Sequence, residues 1–486
     1  MRHAVLVVMV GLVGLVCFAG APNADAALTA EDVELAIATA ARAIDATTAV
    51  IAVTDREGIV LGVFRKLNGD RRDADLAVAL ARTGAFFSND QAPLSSRTVR
   101  FISGIHFPPG IAFTPNAALY GIENTNRGCA FNAPFNPGKE ITPARSLSGG
   151  RGLGIITGKA DSFDSNPGAV NPGGVPIFKE GTLVGGIGVA GVSPPEAEFA
   201  AFSGSIPDGR FGPRVPPPGV VVLDGVSLPF VVQRTRPSGT GPGEFVGDFL
   251  VLPRASPRSG VPDGYLVGPR GSAELSPEDV DRIVSQAVAQ ANITRAAIRL
   301  PLGSRTRMVI AVGDLAGNVL ALFRMPDATV FSIDVAAAKA RNVVYFSSLR
   351  VAPNDLPGVP PGTAVTNRTI SFGAQPLFPP GIDGSGPGPF FDLFLRDTAS
   401  PCTQGGDRAN RANQNGIVFF PGSVPLYREG ALVGGLGVSG DGVEQDDVVS
   451  DGGSRGFEAP VGIRADRILI KDVRLPYLKF TRAPTR

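Results

Sequence analysis

Apolar and polar residues fall into blocks whose period changes along the chain, and the same series of blocks occurs twice. A helix opens at Thr29, with Asp32 three positions on; its counterpart opens at Ser276, with Pro277 next and Asp279 three on. A hydroxyl N-cap, an acid at the third position and a proline just inside the start all serve the unbonded N–H groups of a first helical turn. Short β-rich runs follow in pairs about tight turns. Val50–Thr54 and Ile59–Phe64 flank Asp55-Arg56-Glu57-Gly58, and Met308–Val312 and Val319–Phe323 flank Asp314-Leu315-Ala316-Gly317-Asn318. Each pair predicts a hairpin. An Ala-rich helix comes next, Asp73–Phe87 and Asp334–Phe346, then a long Pro/Gly-rich region, then a second hairpin turning at Lys179-Glu180-Gly181 and Arg428-Glu429-Gly430. Hairpins in place of crossovers predict an antiparallel sheet packed by helices, an α+β class. A Gly-Gly pair inside the last strand marks close backbone approach to a neighbour or a ligand.

The duplication is visible residue by residue. Leu183-Val184-Gly185-Gly186-Ile187-Gly188-Val189 returns as Leu432-Val433-Gly434-Gly435-Leu436-Gly437-Val438. Phe107-Pro108-Pro109-Gly110-Ile111 returns as Phe378-Pro379-Pro380-Gly381-Ile382, and Val226-Ser227-Leu228-Pro229-Phe230 as Val473-Arg474-Leu475-Pro476-Tyr477. Two tandem α/β/α domains are expected, residues 27–247 and 272–486, joined by a Pro/Gly/Ser-rich linker over 248–271. Each holds an insertion of roughly 80 residues between the second helix and the Gly-Gly hairpin, well beyond the ~15 residues of ordinary loops.

Composition changes this picture little but narrows the partners. The 486 residues include 62 Gly, 43 Pro and no Trp, and the formal net charge is +1. Near-neutrality removes the basic footprint that nucleic-acid binding needs, and equally a polybasic route to anionic membranes. Arg2, the apolar run Ala4–Ala19 and Ala24-Asp25-Ala26 have the order of a secretory signal peptide over residues 1–26, with an uncleaved anchor as the alternative. The expectation is an exported protein, periplasmic or extracellular. Its remaining cysteines, Cys129 and Cys402, are too few for a disulfide scaffold or a structural zinc site.

The second copy carries a recognisable set of motifs: Ala311-Val312-Gly313-Asp314-Leu315-Ala316-Gly317, Ala321-Leu322-Phe323-Arg324-Met325, Ser332-Ile333-Asp334-Val335-Ala336-Ala337-Ala338-Lys339-Ala340-Arg341, and Gly434-Gly435-Leu436-Gly437-Val438-Ser439-Gly440 with Glu444-Gln445-Asp446. In combination these resemble the GlcG/HbpS-like family of heme-binding (heme-degrading) domains, related also to the C-terminal domain of PduO-type proteins. The resemblance covers about half of each copy and not the insertions. It implies an α/β/α domain with an antiparallel sheet, oligomeric assembly, and heme or another tetrapyrrole as ligand. Two fused copies would then form a pseudo-dimer. Copy one departs from the pattern, with Leu80 in place of Lys339 and only Glu198 where copy two has Asp446, so copy two is the expected site.

The candidate cofactor-binding residues are Arg324, Asp334, Lys339, Tyr345 and His106. No Cys-x-x-Cys-His is present, so a heme would be held non-covalently. His106 can supply an axial imidazole or be a loop histidine; Leu377 stands in its place in copy two. Tyr345 can offer a phenolate or simply pack. Lys339, five residues after Asp334 on one helix, can act as a base, hold a carboxylate or form a charged rim. Arg324, at a strand end, can pair with an anion. Glu444, Asp446 and Asp447 read as a metal patch or a solvated helix start. A single histidine in the exported chain makes a Ser-His-Asp triad or a His-rich metal centre a poor fit. Cys129 and Cys402 occupy near-equivalent places in the two insertions. They would pair if the copies pack about a pseudo-twofold axis near those loops, and are otherwise two free thiols. The leading expectation is an exported tetrapyrrole-binding protein, binding rather than catalytic, with self-assembly or a protein partner through the long loops. The alternatives are a structural scaffold on the duplicated fold, or an enzyme acting on a small organic acid.

Overall fold

The computed structural model describes residues 27–103, 121–133, 135–140, 146–150, 152–156, 171–216, 222–223, 226–227, 229–257, 260–379, 385–481 and 484–485. The signal-type segment and His106 lie outside them. In chain order the elements are α1 (Ala30–Ala43), β1 (Val50–Asp55), β2 (Val60–Lys66), α2 (Asp73–Phe87), α3 (Ser96–Ser103), β3 (Gly174–Lys179), β4 (Thr182–Ala190), α4 (Pro194–Ser205), the two-residue strands β5 (Val222–Leu223) and β6 (Val226–Ser227), and β7 (Gly247–Val251). Then follow β8 (Gly264–Val267), α5 (Pro277–Ile293), β9 (Met308–Gly313), β10 (Val319–Arg324), α6 (Phe331–Phe346), α7 (Asn367–Gly373), α8 (Phe391–Ala399), β11 (Ser423–Arg428), β12 (Ala431–Gly440), α9 (Val443–Gly453), β13 (Leu469–Ile470) and β14 (Val473–Arg474).

Both first helices begin with the capping box read from the sequence, Thr29 with Asp32 and Ser276 with Asp279. Two five-stranded sheets repeat one order, β3-β4-β1-β2-β7 and β11-β12-β9-β10-β8, and every pairing between these strands is antiparallel. Register repeats as well: Ala52 faces Gly188 and Ala311 faces Gly437. The stretch expected as linker is part of the sheets. β7 pairs with β2 and β8 with β10, because both central hairpins leave an open strand edge that extended backbone can satisfy.

The Gly-Gly strands owe their composition to the central helices. A β-carbon on Gly186 or Gly188 would collide with the carbonyl oxygens of Ala81 and Ala77 of α2, and one on Gly435 or Gly437 with those of Ala340 and Ala336 of α6. The close neighbour anticipated from the sequence is thus the helix backbone itself.

The halves meet head to tail. Phe87, at the end of α2, stacks on Phe331, at the start of α6, with centroids 4.1 Å apart, and the Val330 N–H donates to the Phe86 carbonyl at 3.0 Å. Phe86 and Phe87 share a single core with the second sheet. The reciprocal contact of a pseudo-twofold dimer is absent among the described residues. Tyr345 and Phe346, the counterparts of Phe86 and Phe87, pack within the second half's own insertion, and Arg72, the counterpart of Phe331, is exposed. Residues 121–132 of the first insertion lie on copy two, fastened by a Cys129–Cys402 disulfide with Cα atoms 5.3 Å apart.

Two measurements check this frame. Gly437→Ala should lower the unfolding free energy by about 3 kcal/mol, since α6 must be forced off the sheet. Gly209→Ala, with nothing near its β-carbon position, should change it little. A denaturant midpoint that does not move in the first variant would contradict the contact. Removing the disulfide, which spans 273 residues, should cost roughly 2–4 kcal/mol. Two titratable thiols in the unfolded, non-reduced protein would contradict the bridge.

Candidate functional site

All sixteen residues of α6 are buried, so its charged side chains must find partners inside the protein. Asp334 accepts the backbone N–H of Asn126 at 2.8 Å, from copy one's insertion, and the Asn415 amide at 3.1 Å. Burial pushes its carboxyl up against these bonds. Arg341 donates to the carbonyls of Gly317 at 2.9 Å and Phe131 at 3.0 Å and to Asn415 at 2.8 Å; burial lowers it to about 10. Its counterpart Arg82 donates likewise to the carbonyls of Gly58 and Gly138 and is also lowered by burial to about 10.

Lys339 rests on the sheet, with its β-carbon against Gly437. Its Nζ donates to Asp446 at 3.0 Å and to the Val438 carbonyl at 2.8 Å, and lies 4.9 Å from the centre of the Phe420 ring. Lysine and aspartate are both essentially fully buried. Burial lowers the ammonium and raises Asp446 to about 7, against the pull each exerts on the other. The Oδ1 of Asp446 has no hydrogen-bond partner.

The equivalent ground in copy one is apolar. A β-carbon on Gly422 would meet the β-carbon of Asp446 and the Nζ of Lys339; one on its counterpart Gly173 would meet the β-carbon of Ala197. Leu80 and Ala197 therefore replace Lys339 and Asp446 together. This corrects the alignment of Glu198 with Asp446. Glu198 binds Arg97 at 2.6 Å and the Gln233 N–H at 3.0 Å, as Asp447 binds Arg368 and the Lys479 N–H at 3.0 Å. Glu198 corresponds to Asp447, and the acidic run of α9 is neither a metal patch nor a solvated start: Asp446 and Asp447 are buried in ion pairs.

The remaining candidates do not converge on these residues. Arg324 is buried and donates to the carbonyls of Ala328 at 3.0 Å, Val261 at 3.2 Å and Pro262 at 3.2 Å, tying down the loop before β8; burial lowers it to about 9. Tyr345 donates to Asp355 at 2.7 Å and accepts the Ala352 N–H at 3.1 Å, and burial pushes its hydroxyl upward. Both side chains are engaged by protein atoms of their own half. Among the described residues no group of three or more His, Cys, Asp or Glu could hold a metal ion, and no helix is long and apolar enough to cross a membrane. Sequence reasoning missed the Lys339–Asp446 pairing and the roles of Asn126 and Asn415. The paired change to Leu80 and Ala197 would have disclosed the first, had the copies been aligned one residue differently. A separate cleft of about 720 Å³ opens at the C-terminal end of α6, and a smaller one of about 420 Å³ lies beside Arg396 and Arg411.

The second half is thus a helix-backed antiparallel domain built around an interior charge pair. Residues 275–454 match the haem degrading protein HbpS-like family and form a domain of it. Among curated proteins the chain is 28% identical over 187 residues to the corrinoid adenosyltransferase PduO of Citrobacter freundii, covering 38% of this chain and 42% of that one. It is 27% identical over 154 residues to that of Salmonella typhimurium, covering 32% and 33%. The chain therefore spans less than half the length of these relatives. Among solved structures it is similar to a PduOC:heme complex, at 22% identity with a TM-score of 0.25, covering 39% of this chain and 98% of that one. It is similar also to the Klebsiella pneumoniae protein ORFY, at 19% identity with a TM-score of 0.24, covering 37% and 88%.

The charge pair makes a sharp prediction. Lys339→Leu alone, leaving Asp446 buried without its cation, should cost about 3–5 kcal/mol, while Lys339→Leu with Asp446→Ala, which copies the first half, should stay within about 1 kcal/mol of the parent. Urea midpoints read the difference. A double variant as unstable as the sum of the singles would contradict the paired replacement.

Proposed function

We propose that this protein is an exported, non-covalent heme- or tetrapyrrole-binding protein, binding rather than catalytic, with residues 27–247 a diverged companion of the HbpS-like domain. The observation that carries the reading is the family match over residues 275–454, the half that keeps Lys339 and Asp446. Two relatives point to the same ligand chemistry by name, one a corrinoid enzyme and one a heme complex, and corrins and hemes are both tetrapyrrole macrocycles. Non-covalent binding accords with Cys129 and Cys402 being joined to each other, which leaves neither thiol for a thioether. Export accords with the signal-type segment at residues 1–26 and with a disulfide, which persists in oxidising compartments. A binding role accords with the inward commitment of Asp334, Lys339, Arg341 and Arg324, whose hydrogen bonds go to protein atoms.

Those inward-facing residues do not fit the macrocycle, since each is satisfied by protein atoms and none lines either cleft. The larger cleft does fit in size and character, lying within the ~300–1,000 Å³ of ordinary cofactor sites with mostly apolar walls. Heme bound there would supply the iron and the visible absorption; the chain supplies apolar walls and a cation at the rim. A scaffold role is the second reading, favoured by the same saturation of the interior charges. Titrating purified protein with hemin separates the two. A saturable Soret shift complete near one equivalent is expected, and no shift at stoichiometric hemin would reject the tetrapyrrole reading.

A further inference from the structure

We infer that the cleft at the C-terminal end of α6 is a binding site for a flat, largely apolar organic anion, seated on Leu315, Leu349 and Leu432 with its acidic group toward Arg350. That this anion is a tetrapyrrole rests on the preceding reading; the site itself stands on the comparison between the two halves.

The same end of copy one is closed by copy two. There Arg56 lies 3.6 Å from Asp327, the Asp90 N–H donates to Asp327 at 3.1 Å, and Gln91 meets the Leu300 carbonyl at 2.8 Å and Arg299 at 3.0 Å. The three counterparts in copy two are Leu315, Leu349 and Arg350, and all three line the open cleft. Residues that are polar where the surface joins the other half are thus largely apolar where it stands open. Leu349 is 83% exposed, and Ile463, which also lines the cleft, is 36% exposed. Large apolar side chains gathered at the mouth of a cavity mark a binding surface, not a solvated one.

A second copy of this chain does not suit the place. The segment that would have to enter, corresponding to Asp327–Phe331, is Asn68–Arg72 in copy one. It is polar, carries Arg71 and the exposed Asp70–Arg72 ion pair, and would bring two more cations against Arg350. The cleft's chemistry calls for the opposite charge on an apolar body. Arg350 is held only loosely, donating to the Leu315 carbonyl at 3.2 Å and standing 3.8 Å from Asp407, with nearly half its side chain exposed. An exposed pair at that distance is weak, so the guanidinium is available for a bidentate carboxylate. Tyr427, where copy one has Phe178, also lines the cleft, and its buried hydroxyl has no hydrogen-bond partner. Burial raises that hydroxyl to about 12, which keeps it a neutral donor for a ligand that shifts the ring.

The test uses the full chain and two probes, hemin and the apolar fluorophore anilinonaphthalene sulfonate, with Leu349→Asp, Arg350→Glu and the control Leu252→Asp. Leu252 is 73% exposed and follows the edge strand of the other sheet. Unchanged unfolding midpoints establish that the variants fold. Each cleft variant should weaken both probes at least about tenfold, and the control should leave them unchanged. Hemin and fluorophore binding that ignores both cleft variants would overturn the site while leaving the tetrapyrrole reading intact. Fluorophore binding lost in the cleft variants, with no hemin binding to any form, would uphold the site and overturn that reading. A parent protein that binds neither probe overturns both.

Discussion

Everything else in this molecule follows from the contact between a helix backbone and a glycine strand. With carbonyl oxygens of α6 lying where β-carbons of Gly435 and Gly437 would be, helix and sheet approach more closely than side-chain layers allow. The helix must then show its smallest residues to the sheet, which accounts for Ala336 and Ala340, as for Ala77 and Ala81 of α2. Such closeness also leaves no solvent channel along the helix. Charged residues on α6 sit in a medium where an unpaired charge costs several kcal/mol, so each is matched by carbonyls, amides or a counter-ion. Asn126, Asn415, Asp446 and the Gly317 carbonyl are where they are because Asp334, Lys339 and Arg341 have nowhere else to turn.

This burial depends on both halves. The Asn126 N–H that serves Asp334 and the Phe131 carbonyl that serves Arg341 come from copy one's insertion, and the disulfide holds that insertion in place. Phe87 stacked on Phe331 adds about 1 kcal/mol beyond the area it removes from water. A head-to-tail arrangement uses different surfaces on the two partners, so one end of each half is left without its counterpart. The unmatched end of copy two carries the large cleft.

What could be read from the sequence was whatever has a local cause. Capping boxes, hairpin turns and the glycine pair are encoded within a few residues, and the duplication made each visible twice. The strand order was not legible: the two hairpins of each half could be read, but that β4 joins β1 and β12 joins β9 is decided by tertiary packing. The edge strands escaped notice because β7 and β8 sit in Pro/Gly-rich chain whose pairing is decided by the open edges of β2 and β10, not by its own alternation. The candidate residues were legible as unusual but not as to purpose. Arg324 resembles an anion anchor until the carbonyls of Val261 and Pro262, more than sixty residues upstream, are seen to occupy it. Leu349 and Arg350 drew no attention at all, since a leucine and an arginine after a helix are ordinary; only their counterparts Asp90 and Gln91, bound to the other half, give them meaning.

The interior pair of copy two is harder to explain by stability than by position. Apolar residues of similar volume generally serve a core as well as a buried ion pair or better, and Leu80 with Ala197 shows this fold accepting them. Lys339 and Asp446 do something those residues cannot: they tie the middle of α6, the end of β12 and the start of α9 through directional bonds, with Phe420 closing over the ammonium. In copy one the C-terminal end of α2 is braced from outside by the second half. In copy two the corresponding end of α6 borders an open cleft and has no such brace. A helix that must present a stable wall there gains from being fixed in register, and the half whose helix end is left uncovered by the other is the half that keeps the pair.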